Sequence, residues 1–264
     1  MKYLSVKNRA ILREVIVTNF KVRYQGSMLG YLWSLLKPLF MFAILYIVFT
    51  QVFKVGDGIP HYPVYLLLGI VLWNFFTEAT TTGLSSIVDS GELIRKISIP
   101  RYLIVIASTI SAFINLALSL TVVLVFAIIN QVPITAGWLL LPFIILELVV
   151  LSQGVAFLLS TVFVRFRDIS YIWEVILQAG FYVTPIIYPL QRVGDDTFQK
   201  VIMLNPVAQI IQDSRQVFVT GASITGWEVG GMAFGFITIG TVVILAITGA
   251  IHFKRNSRMF AENI

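Results

Sequence analysis

The sequence predicts an all-α membrane protein with six spanning helices behind an amphipathic surface helix, and three observations predict it. Of the 264 residues, 58% are hydrophobic and only 12% charged, and the mean hydropathy of +0.88 is far above that of a water-soluble domain. The apolar residues gather into successive runs of about 20, the length a helix needs to cross a bilayer. Lysine and arginine collect in the short segments between alternate runs, which is how a chain in the membrane fixes its orientation.

The apolar runs leave no room for a separate water-soluble unit, so 1–264 reads as one membrane domain. The net charge of +6 sits in inter-span loops, where orientation accounts for it and nucleic acid is not needed as a partner. The chain has no cysteine, which excludes disulfides and thiolate chemistry. Lys2, Lys7, Arg9, Arg13 and Glu14 interrupt the first twenty residues, so no apolar core of a cleaved signal peptide is expected there.

Taken in order, Ile11, Leu12, Val15, Ile16 and Phe20 recur at helical spacing in segment 1–26, away from Lys7, Arg13 and Lys21. This fits a helix lying in the membrane surface, in contact with lipid. The stretch 23–39 then turns the chain into the bilayer, with Tyr31 and Trp33 suited to the interface. Gly26 and Gly30 are spaced for close helix packing. Spans are expected at 31–53, 62–83, 102–129, 138–164, 172–188 and 230–253. The fifth is short and contains Thr184-Pro185, which predicts a broken or kinked end. Segment 189–229 is too polar to cross; its apolar stretches around 201–204 and 207–211 predict short helices dipping into one leaflet, separated by Asn205-Pro206. A tail, 254–264, closes the chain.

Fourteen of the nineteen Lys and Arg fall on the side of the N-terminus. Lys54, Arg192, Lys200 and Arg215 fall on the other, and Lys37 within the first span. The bias predicts that both termini are cytoplasmic.

Sequence signatures of enzymes are missing: there is no phosphate loop, no His-Glu-x-x-His and no Gly-x-Ser-x-Gly. His61 and His252 fall near opposite membrane faces. Aromatic stripes are more informative. Phe42, Tyr46, Phe49 and Phe53 follow steps of four, three and four, and Trp173, Leu177, Phe181, Thr184 and Tyr188 keep a similar rhythm. Such stripes serve helix packing or lipid contact, or else line a path for sugar rings, whose C–H faces pack on aromatic faces in no single register.

Glu78 and Glu174 are expected near the cytoplasmic ends of their spans, solvated, and Glu147 as a buried polar partner, because an ionised carboxylate at mid-bilayer costs roughly 2.5–3.5 kcal/mol. Lys37 is about 9 Å inside its span. It either snorkels to the headgroups or meets an anionic head such as a pyrophosphate. In the loop 85–100, Leu93, Ile94 and Ile97 form an apolar knob flanked by Glu92, Arg95 and Lys96, a docking element for a cytoplasmic partner.

Four pieces in order, 24–39, 92–101, Phe166-Arg-Asp-Ile169 and Asn205-Pro206, together with six spans, resemble the permease subunit of ABC-2 type polysaccharide exporters, the O-antigen and teichoic acid group. The resemblance implies a homodimer joined to two copies of a separate ATPase, which would bind ATP and Mg, so that this chain carries no catalytic residue, metal or cofactor of its own. It implies export of an undecaprenyl-linked glycan across the cytoplasmic membrane. It places the ATPase contacts on the surface helix, on Glu92, Leu93, Ile94, Arg95 and Lys96, and on Arg165, Arg167 and Asp168. It makes Phe42, Tyr46, Phe49, Phe53, Trp173, Phe181 and Tyr188 channel-lining and puts an external gate around Asn205 and Pro206. Lys37 has no place in that pattern, so its headgroup role rests on charge alone. Two alternatives stay open: an ABC-2 permease for drugs or lipids, and a membrane-embedded glycan-modifying enzyme such as an acyltransferase.

Overall fold

The computed structural model describes residues 6–24, 30, 32–56, 58–96, 99–257 and 260. Tyr31, Gly26, Ile97 and most of the tail 254–264 beyond Ser257 lie outside them, as does the side chain of Lys96. Among the described residues every regular element is helical. α1 (Val6–Tyr24) precedes α2 (Leu32–Ile47), whose last turn continues as a π-helical turn at Val48–Val52. α3 (Tyr62–Asp89), α4 (Gly91–Lys96), α5 (Tyr102–Ile129), α6 (Leu141–Arg165) and α7 (Ile169–Val183) follow. The short helices α8 (Asp196–Met203), α9 (Pro206–Phe218) and α10 (Gly226–Gly230) lead to α11 (Met232–Asn256).

Among the described residues, five helical stretches are long and apolar enough to cross a membrane: Leu32–Val52, Tyr62–Asp89, Tyr102–Ile129, Ala136–Arg165 and Met232–Asn256. The expected fifth span, α7, is a shorter apolar helix of 15 residues, about 22 Å against a hydrocarbon core of about 30 Å. Its boundaries correct the expected span. The helix begins at Ile169 and stops at Val183, and Thr184 is extended with ψ 133°. Pro185 is the cause, because its ring disfavours the α conformation at the residue before it. Thr184 and Tyr188 are therefore not on the helical stripe that Trp173 begins.

Chain direction alternates from span to span. Tyr46 near the end of α2 lies 6.3 Å from Tyr62 at the start of α3. Phe75 and Glu78 of α3 meet Phe113 and Asn115 of α5, while Trp73 meets Phe181 of α7. α6 and α11 run parallel, Phe157 against Phe253 at 4.9 Å. One end of the bundle thus carries the start of α2, α5 and α7 and the end of α3, α6 and α11. We call this the basic face. α8, α9 and α10 lie at the opposite face.

At the centre is α3, 28 residues and about 42 Å long, buried along most of its length against α2, α5, α6, α7 and α9. Pro63 occupies its first turn, where the missing N–H costs nothing. α6 and α11 approach closely because Gly154 faces Ala246: a Cβ on Gly154 would sit 2.8 Å from the Ala246 backbone. α1 packs on α5 with Val15 buried, while Arg9, Arg13 and Glu14 are exposed, as the amphipathic pattern requires. Gly30 corrects another expectation. Among the described residues nothing lies within 4 Å of its Cβ site, so no described helix packs closely there, and its φ of +48° is the left-handed conformation that glycine adopts readily.

Candidate functional site

A cavity of about 650 Å³ lies between α3 and α7 toward the basic face, with Met41 of α2 and Phe163 of α6 closing its sides. Its aromatic wall is locked from both helices. Trp173 of α7 packs on Phe76 of α3 at 6.2 Å, edge to face, and its indole N–H donates to Thr80 Oγ1 at 3.1 Å. About two turns above, Phe181 meets Trp73 edge-on at 6.2 Å and Tyr182 at 5.4 Å. Gly180 makes room for this: a Cβ there would sit 2.8 Å from the Trp73 ring.

Beside the apolar Leu84 and Leu177, the rest of the described lining is polar but almost uncharged. Asn74, Thr77, Thr81, Ser85, Ser170 and Gln178 face the cavity, with Glu174 the one ionisable acid among the described lining residues. Thr77 Oγ1 is buried with no hydrogen-bond partner. Flat aromatic faces beside amide and hydroxyl groups suit a neutral, hydroxyl-rich ligand, and no cation is among the described lining residues to hold a phosphate. No cluster of His, Cys, Asp or Glu able to hold a metal ion occurs among the described residues.

Only two of the seven aromatic candidates, Trp173 and Phe181, line this cavity. Phe42 is buried against Tyr46 and Phe126 of α5, at 5.6 and 5.4 Å. Tyr46 and Phe49 are half-buried in the same core, and Phe53 is exposed beyond the π turn. Tyr188 donates from its hydroxyl to the Val183 carbonyl at 2.9 Å. Lys37 is exposed on α2 and is not part of the cavity wall. The residues that pattern-reading missed are Trp73, Asn74, Thr77, Gln178 and Tyr182. A polar residue inside an apolar run, such as Asn74 or Gln178, is the signal that could have found them.

At the basic face Glu92 and Arg95 of α4 are exposed, Leu93 is half-buried, and Ile94 packs inward on a cluster with Ile87 and Ile104. Arg165, Arg167 and Asp168 are exposed between α6 and α7, the two guanidinium groups lying over Phe166 and Phe163 at 5.4 and 5.0 Å.

The other end of α7 holds the least expected feature. Arg215 of α9, counted from sequence among the cations of the far side, is 0% exposed. Its Nε donates to the Tyr65 carbonyl at 3.1 Å, Nη1 to the Pro185 carbonyl at 2.5 Å and to Gln212 Oε1 at 3.0 Å, and Nη2 to the Ile186 carbonyl at 2.7 Å. The guanidinium also lies 3.5 Å from the centre of the Tyr65 ring. Nearby, the Tyr62 hydroxyl donates to the Ile187 carbonyl at 3.1 Å. Asn205 caps α9 by accepting from the Val207 N–H at 3.0 Å, and its Nδ2 donates to Thr184 Oγ1 at 3.1 Å. Non-helical backbone at membrane depth persists only where protein satisfies it. Here α9 and α3 supply the donors that the broken end of α7 lacks.

One acid of the spanning helices also departs from expectation. Glu78 is not at a solvated end but midway along α3, where its Oε1 accepts from Asn115 Nδ2 at 2.7 Å. Glu174 is exposed on the cavity wall. Glu147 Oε1 and Asp213 Oδ1 are both buried without a hydrogen-bond partner. Burial, then the carboxylates of Glu147 and Glu228, push the Asp213 carboxyl up to about 7.

Comparison with known proteins agrees with this architecture. Residues 12–219 match the family described as ABC-2 type transporter. An O-antigen export system permease protein RfbA of Klebsiella pneumoniae is 30% identical over 253 residues, covering 94% of this chain and 93% of its own. Its namesake in Myxococcus xanthus is 27% identical over 211 residues, 80% of each chain. The polysialic acid transport protein KpsM of Escherichia coli is 20% identical over 262 residues, 96% of each. With most of its length matched and its helices arranged as described, the chain belongs to the ABC-2 type transporter family.

Proposed function

We propose that this chain is the permease subunit of an ATP-driven exporter that moves a lipid-linked polysaccharide of the O-antigen kind out across the cytoplasmic membrane. The observation that carries the reading is the α3–α7 cavity, whose aromatic faces and uncharged hydrogen-bonding groups match sugar rings, in a chain similar along its length to glycan export permeases. Trp173, Phe181, Trp73 and Gln178 would contact the glycan. Each contact is weak and has no fixed register, which a sliding polymer requires.

The energy would come from a separate ATPase that binds ATP and Mg, docked on Glu92, Leu93 and Arg95 of α4 and on Arg165, Arg167 and Asp168. All but the half-buried Leu93 are exposed at the basic face, which by the excess of Lys and Arg would be cytoplasmic, with both termini on that side. Two copies of the permease would pair, and two ATPases would serve them. On α2, among its described residues, only Phe42 is fully buried, which leaves most of this apolar helix for lipid or the second copy. Motion at α4 would reach α3 directly, since Asp89 and Gly91 are separated by one residue. At the far face, α9 and Asn205-Pro206 would form the gate.

Depletion of the chain in its native cell tests this reading. The glycan should accumulate on its lipid carrier inside the cytoplasmic membrane, and an ATPase with a phosphate loop should co-purify with the permease. Normal surface glycan after depletion would contradict the proposal.

A further inference from the structure

A second cavity, of about 840 Å³, opens at the basic face where α11 ends beside the start of α5. It is separate from the α3–α7 cavity and shares no lining residue with it. Arg101, Lys254 and Ser257 stand at its mouth, and Ile94, Phe157 and Phe253 wall it. No acidic residue is among its described lining residues, and among the described residues neither Arg101 nor Lys254 makes an ion pair. The first turn of α5 carries no acid either, so its positive helix end adds to the field of the two cations.

Depth separates this cavity from an ordinary basic surface. On α11 the lining runs from Ser257 at the helix end inward past Lys254 and Phe253 to Ala250, seven residues or about 10 Å of rise, and Phe157 of α6 packs on Phe253 at 4.9 Å. The cavity therefore runs from headgroup level into the apolar layer. A protein segment following it inward would bring unpaired backbone into hydrocarbon. An amphiphile with an anionic head and an aliphatic chain meets both ends.

We propose that this cavity seats an anionic phospholipid of the surrounding bilayer, its phosphate between Arg101 and Lys254 and one acyl chain along Phe157 and Phe253. Basic pockets between spanning helices bind acidic lipid heads in this way. The inference does not depend on what cargo the exporter carries.

The test uses the full-length protein in phosphatidylcholine nanodiscs doped with phosphatidylglycerol, with lipid retention read by native mass spectrometry. Wild type should retain phosphatidylglycerol over phosphatidylcholine. Each cation near the surface is worth about fivefold, so the double variant Arg101→Gln/Lys254→Gln should lose about 30-fold in that preference. Ala250→Trp, which fills the cavity at an exposed position and leaves charge untouched, should lose retention while keeping the wild-type melting temperature. Equal retention of both lipids by wild type, or full preference in the double variant, would overturn the proposal. So would polyprenyl phosphate binding where phosphatidylglycerol does not, because that assigns the seat to the glycan carrier.

Discussion

Replacing Arg215 with Met removes a buried charge while leaving its acceptors in place. The carbonyls of Pro185 and Ile186, now at 2.5 and 2.7 Å from guanidinium nitrogens, would face an apolar side chain, while the Tyr65 carbonyl keeps its place in the α3 helix. Each unsatisfied buried acceptor costs roughly 1–3 kcal/mol, so the two together cost roughly 2–6 kcal/mol. Burying an ion is itself costly, and a well-packed apolar substitute often offsets the loss of an ion pair. That compensation fails here because the partners are main-chain groups that the substitution cannot remove. The assay is hydrogen exchange at the amides of Thr184, Ile186, Ile187 and Tyr188. A loss of about 3 kcal/mol should speed it by roughly a hundredfold, with slower effects elsewhere. Gly69→Ala gives an independent route, because a Cβ at Gly69 would collide with Arg215 Nη2. In combination the two changes should cost less than their sum. Unchanged exchange across 184–188 in Arg215→Met would refute the argument that α9 holds the broken end of α7.

Asp213, in α9 outside the spanning helices, has its carboxyl raised from 3.8 to about 7, chiefly by burial. The folded chain therefore keeps a proton that the unfolded chain releases. Its stabilising effect is complete below about pH 3.8 and is lost as pH rises through about 7. A stability-against-pH series should show that decline, and Asp213→Asn should flatten it. Leu93→Asp should abolish export and stimulated ATP hydrolysis without loss of membrane insertion, measured by membrane fractionation beside the activity assay. Gly154→Val should wedge α6 from α11 at the Ala246 backbone, lowering thermal stability by about 1–3 kcal/mol. Replacing Tyr46 and Phe49 together with Ala separates packing from pathway. Their burial in the core predicts a fall in melting temperature along with slower export, whereas channel-lining alone predicts slower export at unchanged melting temperature.

Span positions were legible where hydrophobicity and helix length coincide. The third expected span, 102–129, matches α5 at both ends. The second was read as ending at Gly83, yet α3 continues to Asp89, because its late turns carry serine and threonine that face protein and a cavity. Hydropathy reports contact with lipid, and a helix sheltered by its neighbours needs no such contact. Pro185 announced the break in α7, but nothing local says what satisfies the freed carbonyls. Arg215 stands four residues after Ile211 and eight after Val207, on the buried stripe of α9. A cation in that register was the available clue, and charge counting discarded it. The α2 stripe shows the opposite limit. Its spacing was plain, while its partners, Phe126 and Tyr62, lie in other helices.

The absence of cysteine allows the pathway to be probed one position at a time. A single cysteine at Gln178, on the cavity wall, is coupled to a photoreactive group and irradiated during export, with Leu124, which is exposed on the outside of α5, as the control. If the α3–α7 cavity carries the glycan, position 178 captures glycan adducts and position 124 does not. Adducts at neither position, or equal capture at both, would contradict the account.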